Sequence, residues 1–157
     1  MSEELSRDWP DLAGRIEDDT HILPVRVYFE DTDFTGLVYH ANFLKFCERG
    51  RSDFIRCLGI DHRRLENPEQ GEPAVFVVRR IEVDYLRSAR IDEVLEVVTR
   101  CEDSGRATLV LAQDVWRDGV VLARLKASIV LVSKAGKPQR LGPLVGEALE
   151  RFVKARG

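Results

Sequence analysis

Gly50 interrupts a helical stripe at its middle, and that one position narrows the folds open to this chain more than any other. Phe43, Phe46 or Cys47, Gly50, Phe54 and Leu58 recur every three or four residues, the spacing that gathers side chains on one face of an α-helix. The pattern begins near Tyr39, and Gly59 follows it where a left-handed residue closes a helix. A glycine inside a helix forfeits roughly 1 kcal/mol against alanine. Its presence predicts that another backbone comes close there, as when a sheet wraps around a central, buried helix.

The remaining segments supply such a sheet. Val25, Val27 and Phe29 alternate with Arg26, Tyr28 and Glu30, the period of a short half-buried strand that stops at Glu30 or Asp31. Ala74 to Leu86 reads as a long strand, apolar at first and so expected to be covered on both faces, then alternating. Leu95, Val97, Thr99 and Cys101 share one face of the next strand, Asp103-Ser-Gly105 turns the chain, and Ala107 to Val115 returns. Trp116-Arg-Asp-Gly119 gives a second tight turn before Val120 to Val132. Leu144, Leu149, Phe152 and Val153 after Gly142-Pro143 mark a short docking helix. Strand, long helix, then a run of about five strands in all predicts an α+β domain with one helix on a curved antiparallel sheet.

The 157 residues, 44% hydrophobic, are enough for one domain with a real core. Residues 1–21 are charged with few apolar positions and are expected to be a flexible or loosely docked extension to a domain spanning 22–157. Between the helix and the long strand, residues 61–73 mix charge with breakers, a surface connection with one short helical turn that can border a pocket. With 24 basic and 27 acidic side chains, no global field points to nucleic acid or an anionic membrane. Cys47, Cys57 and Cys101 are odd in number and lie in apolar patterns, as buried thiols of a cytoplasmic protein would. No apolar run approaches the ~20 residues of a membrane span, and the amino terminus lacks the pattern of an export signal.

Chemistry concentrates between strand and helix. Asp31, Thr32, Asp33, Thr35 and Gly36 form a compact polar loop that feeds the helix start, where His40 stands. A carboxylate beside unsatisfied helix N–H groups has the two components of an acyl-transfer site. His21, His40 and His62 have no zinc-motif spacing, and there is no Gly-x-Ser-x-Gly elbow, so neither metal nor organic cofactor is expected.

Tyr28-Phe-Glu-Asp-Thr-Asp-Phe-Thr-Gly-Leu-Val-Tyr-His-Ala-Asn-Phe43, followed by Glu48-Arg-Gly-Arg51, resembles the signature of the hotdog-fold acyl-CoA thioesterases of the 4-hydroxybenzoyl-CoA thioesterase class. Within that class it is most similar to the Tol-Pal-associated (YbgC-type) branch. The resemblance spans about Val25 to Leu141 by strand order. It implies a hotdog fold and a homodimer, with tetramers as a further step.

The resemblance places the catalytic carboxylate at Asp33, as nucleophile or general base, and a substrate-positioning histidine at His40, whose backbone N–H would help bind the oxyanion. Asp31 would support the loop, Gly36 and Tyr39 shape it, and Glu48 either order the site or pair with Arg51 or Arg49 on the helix face. Without the motif, Asp33 would read as an ordinary turn or cap residue. Coenzyme A would require local cations, and Arg79, Arg80, Arg87 and Arg90 are the candidates. One departure stands out. Phe29 occupies a position where the YbgC-type branch has a second tyrosine, and Tyr28 should point to the opposite face. The expected activity is hydrolysis of an acyl-CoA, or of an acyl group on a carrier protein. A non-hydrolytic module that binds the same ligands is the alternative, and a hotdog dehydratase fits the acid-loop-histidine order less well.

Overall fold

The computed structural model describes residues 12–68 and 72–154. Six antiparallel strands form one sheet: β1 (Arg15–Glu17), β2 (Thr20–Arg26), β3 (Ala74–Tyr85), β4 (Val94–Ser104), β5 (Thr108–Arg117) and β6 (Val120–Ser133), in the order β1-β2-β4-β5-β6-β3. One face carries the long helix α1 (His40–Cys57), with the short α2 (His62–Glu66) beyond it and α3 (Pro143–Lys154) closing one end. This is the hotdog arrangement. No helix among the described residues is long and apolar enough to cross a membrane.

Alternation along the strands decides which face meets α1. Leu95, Val97, Thr99 and Cys101 on β4, and Leu109, Leu111, Gln113 and Val115 on β5, are almost fully buried and turn toward the helix. From α1 they receive Phe43, Phe46, Cys47 and Phe54, while Leu58 at the helix end is only partly buried. Phe152 of α3 meets Phe54 edge-on with ring centroids 5.2 Å apart. Between β5 and β6, Asp118 and Gly119 both have positive φ, 48° and 79°, the hairpin turn whose twist matches that of the flanking strands.

Gly50 lies where the sheet crowds the helix most. A Cβ there would stand 2.7 Å from Val97 Cγ1, 3.1 Å from Gln113 Nε2 and 3.3 Å from Thr99 Oγ1. The sheet does close on the helix, but through side chains of β4 and β5, where the sequence pointed to backbone.

Four further expectations change. The strand expected from Val25 to Glu30 is β2, which runs from Thr20 to Arg26, so Phe29 lies beyond it in a 3-10 turn (Phe29–Asp31) and is 81% exposed. Of the amino-terminal extension, residues 1–11 lie outside the described residues, whereas 15–17 and 20–21 are paired in the sheet. β3 is one of the two edge strands, and Val75, Val77 and Val78 are exposed where cover on both faces was expected. Cys57, the last residue of α1, is exposed, while Cys47 and Cys101 are buried.

Candidate active site

The loop between β2 and α1 is held in one shape by short-range bonds. Thr32 N and Oγ1 both donate to Phe29 O, at 3.0 and 2.8 Å, and Asp33 N donates to Leu37 O at 3.0 Å. Gly36 N donates to Asp33 O at 3.0 Å, and its φ of 83° is of the kind a glycine adopts without strain. Val38 N then donates to Ala89 O at 2.8 Å and Leu37 bridges Arg90, so the segment after β3 backs the loop.

The two aspartates end in opposite environments. Asp31 is buried and accepts from Tyr28 N at 2.9 Å and Asn42 Nδ2 at 3.0 Å, while its own carbonyl accepts from Tyr39 N at 2.8 Å. It ties the 3-10 turn to the first turn of α1. Asp33 is exposed, and one oxygen of its carboxylate accepts from both the hydroxyl and, at 2.8 Å, the backbone N–H of Thr35. Those two bonds hold its pKa below the ordinary aspartate value, with a smaller contribution from the charge of His40. Asp33 is therefore ionised at neutral pH, with its second oxygen uncommitted.

His40 is the first residue of α1. The preceding Tyr39 makes no side-chain cap and the first turn contains no acidic residue. Helix N-termini leave N–H groups without an intrahelical acceptor. Here Asn42 N is taken by Tyr39 O at 2.8 Å, which leaves those of His40 and Ala41. The His40 ring lies between Tyr39 and Tyr85, with centroids 4.6 and 5.9 Å away, and Tyr85 Oη donates to His40 O at 3.0 Å. The helix start is thus clamped by β3 on one side and by the Asp31 loop on the other.

Of the other expected residues, Gly36 and Tyr39 belong to this corner. Glu48 is exposed two turns along α1 and makes no ion pair with Arg49 or Arg51 among the described residues, although its charge acts on Arg51. Arg87 Nη1 donates to Val121 O at 3.1 Å, and Arg90 bonds through its backbone N–H to the Glu93 carboxylate, so both stand on the segment that backs the loop. Arg80 pairs with Glu82 at 2.8 Å, alternates with Ile81 and Tyr85, and so belongs to the sheet face away from α1. Arg79 is the extra residue of a bulge between Val78 and Arg80. The structure does not bring those two to the loop.

Sequence reasoning missed Thr35, Asn42 and Tyr85 as site residues. Tyr85 had a signal, an aromatic residue closing an alternating strand, but only the tertiary fold sets it against His40. Histidine spacing also gave no sign that His21, Asp53 and Cys57 bring metal-compatible atoms within 4.8 Å of one another. The Asp53 carboxylate in that group is already taken. Oδ2 accepts from Gly14 N and lies against His21 Nε2, both at 2.7 Å, and Oδ1 accepts from Arg56 at 3.2 Å. Burial pushes the Cys47 thiol to about 12, which removes it as a nucleophile.

The sheet order and the long helix across one face make this a hotdog-fold protein, with the ionised Asp33 carboxylate in the loop that leads to the uncapped start of α1. More particularly, the chain belongs to the thioesterase superfamily, whose family model matches residues 35–123. Over 132 residues, 84% of this chain and 90% of the relative, it is 34% identical to acyl-CoA thioesterase YbgC of Haemophilus influenzae. The Helicobacter pylori acyl-CoA thioesterase YbgC is 42% identical over 91 residues, 58% of this chain and 63% of that protein. A probable thioesterase from Bartonella henselae superposes with a TM-score of 0.76 at 40% identity, covering 78% of this chain and 99% of the other.

Proposed function

We propose that this protein hydrolyses acyl-CoA thioesters at the corner formed by Asp33 and the start of α1. Membership of the thioesterase superfamily and the acyl-CoA thioesterases among its relatives support the activity. The observation that carries the mechanism is the uncommitted, ionised Asp33 carboxylate beside a helix N-terminus with no side-chain cap. In the hydrolytic step the thioester carbonyl lies against the N–H groups of His40 and Ala41, which bind the developing oxyanion. Asp33 either attacks the carbonyl carbon, forming an anhydride that water opens, or removes a proton from the attacking water. In both routes the C–S bond breaks, CoA leaves as the thiol once protonated, and the acid is released. The His40 ring orients the carbonyl or the water.

Arg87 and Arg90, on the segment behind the loop, are the proposed partners of the CoA phosphates. Asp31, Gly36, Tyr39, Asn42 and Tyr85 fix the geometry, and Glu48 faces the acyl path. That path is the groove of about 530 Å³ between α1 and β3, with Leu44, Ile55, Phe76 and Ile81 among its walls. His40, Leu44, Glu48, Arg51 and Ile55 follow one another at helical spacing, so the groove runs along the face of α1 that begins at the catalytic corner. Its open side is β3, and a second copy of the chain in a homodimer would complete it. An acyl carrier protein is the alternative bearer of the thioester, and the free thiols fit a cytoplasmic setting.

Asp33→Asn tests the reading. Size and hydrogen bonding are kept and the charge is lost, so turnover of the best acyl-CoA should fall by roughly 10²–10⁴-fold, the range for removing a general base, while CoA binding persists. A folded Asp33→Asn protein with the wild-type rate would leave a non-hydrolytic acyl-CoA-binding module in its place.

A further inference from the structure

Arg51 is a buried cation on the groove side of α1, only 7% exposed. Its Nη1 donates to Gln113 Oε1 at 2.9 Å, and Gln113 has no freedom to turn: Nε2 donates to Cys47 O at 2.8 Å and to Thr99 Oγ1 at 2.9 Å. A committed amide on β5 therefore fixes the guanidinium in place. A guanidinium has five N–H donors, and this amide oxygen engages one nitrogen. None of the ion pairs among the described residues includes Arg51. Among the described residues, His21 Nδ1 is the only buried side-chain polar atom without a partner. The remaining Arg51 nitrogens are thus open to the cavity that the residue lines. Burial pushes the guanidinium below its usual value, against the influence of Cys47 and Glu48, yet an arginine stays charged. A fixed, desolvated cation without a counter-ion is unfavourable until an anion meets it.

The walls around this charge are Leu44, Ile55, Phe76, Ile81 and Ile129, while the carboxylates on the lining, Glu48 and Glu66, are exposed. A chain that enters from His40 therefore meets apolar side chains and then a guanidinium. The helix rises 1.5 Å per residue, so Arg51 lies about 16 Å from His40 along the axis. Its side chain leans back over the preceding turn, which leaves roughly 10 Å. At about 1.2 Å per bond, a chain of roughly eight carbons spans that distance.

We infer that the α1–β3 groove selects acyl groups whose distal end carries a carboxylate, received by Arg51 as Gln113 holds it. This rests on the proposed site, since the thioester is taken to lie at Asp33 and His40. A guanidinium fork matches a carboxylate through two parallel bonds, which a methyl terminus cannot offer.

The test compares octanoyl-CoA with suberyl-CoA, its eight-carbon ω-carboxy counterpart, by kcat/KM in the wild-type protein, in Arg51→Met and in Arg51→Lys. Binding of both thioesters is measured by calorimetry in the Asp33→Asn background. The wild type should favour suberyl-CoA by roughly 10- to 100-fold, the worth of hydrogen bonds to a charged group. Arg51→Met should abolish that preference, bringing the two kcat/KM values together, and Arg51→Lys, which keeps the charge without the fork, should fall between. Equal kcat/KM values for the two thioesters in the wild type would overturn the inference, as would an Arg51→Met protein that loses both substrates equally. The wild-type comparison decides the matter even if Arg51→Met fails to fold. Should the wild type hydrolyse neither thioester, the proposed reaction fails, but the calorimetric preference still decides selection: tighter binding of suberyl-CoA supports it and equal binding overturns it. A wild type that prefers octanoyl-CoA, with an Arg51→Met variant that no longer dimerises, would assign the guanidinium to a partner's acidic group and overturn the inference.

Discussion

At the scale of single residues, two aspartates separated by one threonine do different work because their donors differ. Asp31 accepts from a backbone N–H and from the Asn42 amide while buried, so its carboxylate serves as a joint between loop and helix. Asp33 accepts both of its bonds at one oxygen, from Thr35, and presents the other outward. Donors to the charged form lower a carboxyl pKa, and the consequence for pH can be signed. The active species is the carboxylate, which is present above the depressed pKa and lost as pH falls through it. The acid limb of kcat/KM should therefore lie below the range of an ordinary aspartate. Thr35→Val removes the hydroxyl donor, the larger of the two causes, and keeps the backbone N–H. Its acid limb should move to higher pH while the plateau above it survives. A limb at the same pH in wild type and variant would mean that a group other than Asp33 sets it.

At the scale of elements, what could be read from the sequence was whatever local spacing encodes. The limits of α1, the turn within Trp116-Arg-Asp-Gly119 and the polar loop all follow from residues within a few positions of one another. The start of the sheet was hidden for a physical reason. Pro24 sits inside β2, and a proline reads as a break in a strand. It is tolerated because β1 pairs only with Thr20–Ile22, which leaves β2 an outer strand at that point. Contacts that need the full register, such as Arg51 with Gln113 62 residues away, left only an indirect trace: a glutamine at a position where β5 faces the core. His21 belongs with these. Burial holds its pKa below the usual histidine value despite the Asp53 bond and charge. Burial, the largest influence on Asp53, pushes that carboxyl up, but the donors His21, Gly14 and Cys57 together hold it down. The pair is thus a neutral imidazole donating from Nε2 to a carboxylate, with Nδ1 bare, and it fastens β2 to α1. Below about 6.5 the unfolded chain takes up a proton on this histidine and the folded chain does not, so stability falls as pH falls through that window. Protonation of Asp53 continues the loss at lower pH. Chemical denaturation at pH 7.5 and 5.5 should show the wild type less stable at the lower pH. His21→Gln, which keeps a donor without a titrating ring, should flatten that difference; an unchanged slope would assign the acid sensitivity elsewhere.

At the scale of the whole molecule, the sheet has two unequal edges. β1 is three residues long and ends the sheet with little unpaired backbone, whereas β3 is twelve residues long and exposes Val75, Val77 and Val78, each more than 40% accessible. A long apolar edge is a template for another strand, and natural sheets blunt such edges with charge, bulges or a cover. The bulge at Arg79 and the alternating charges from Arg80 to Asp84 blunt the second half of β3, but the first half has no such device. That half also forms the open wall of the groove that leads to Arg51. Pairing of β3 with β3 of a second copy would cover the valines, continue the sheet and enclose the acyl path in one step. The protein should therefore sediment as a dimer at micromolar concentration. Val77→Lys, which places a charge in the middle of the apolar half, should shift it toward monomer and lower kcat/KM for acyl-CoA, because the groove would lose its outer wall. The fold should survive, since Val77 is not part of the buried core. A wild-type protein that is monomeric at these concentrations and fully active would show that one chain closes its own site, and the exposed valines would then need another partner.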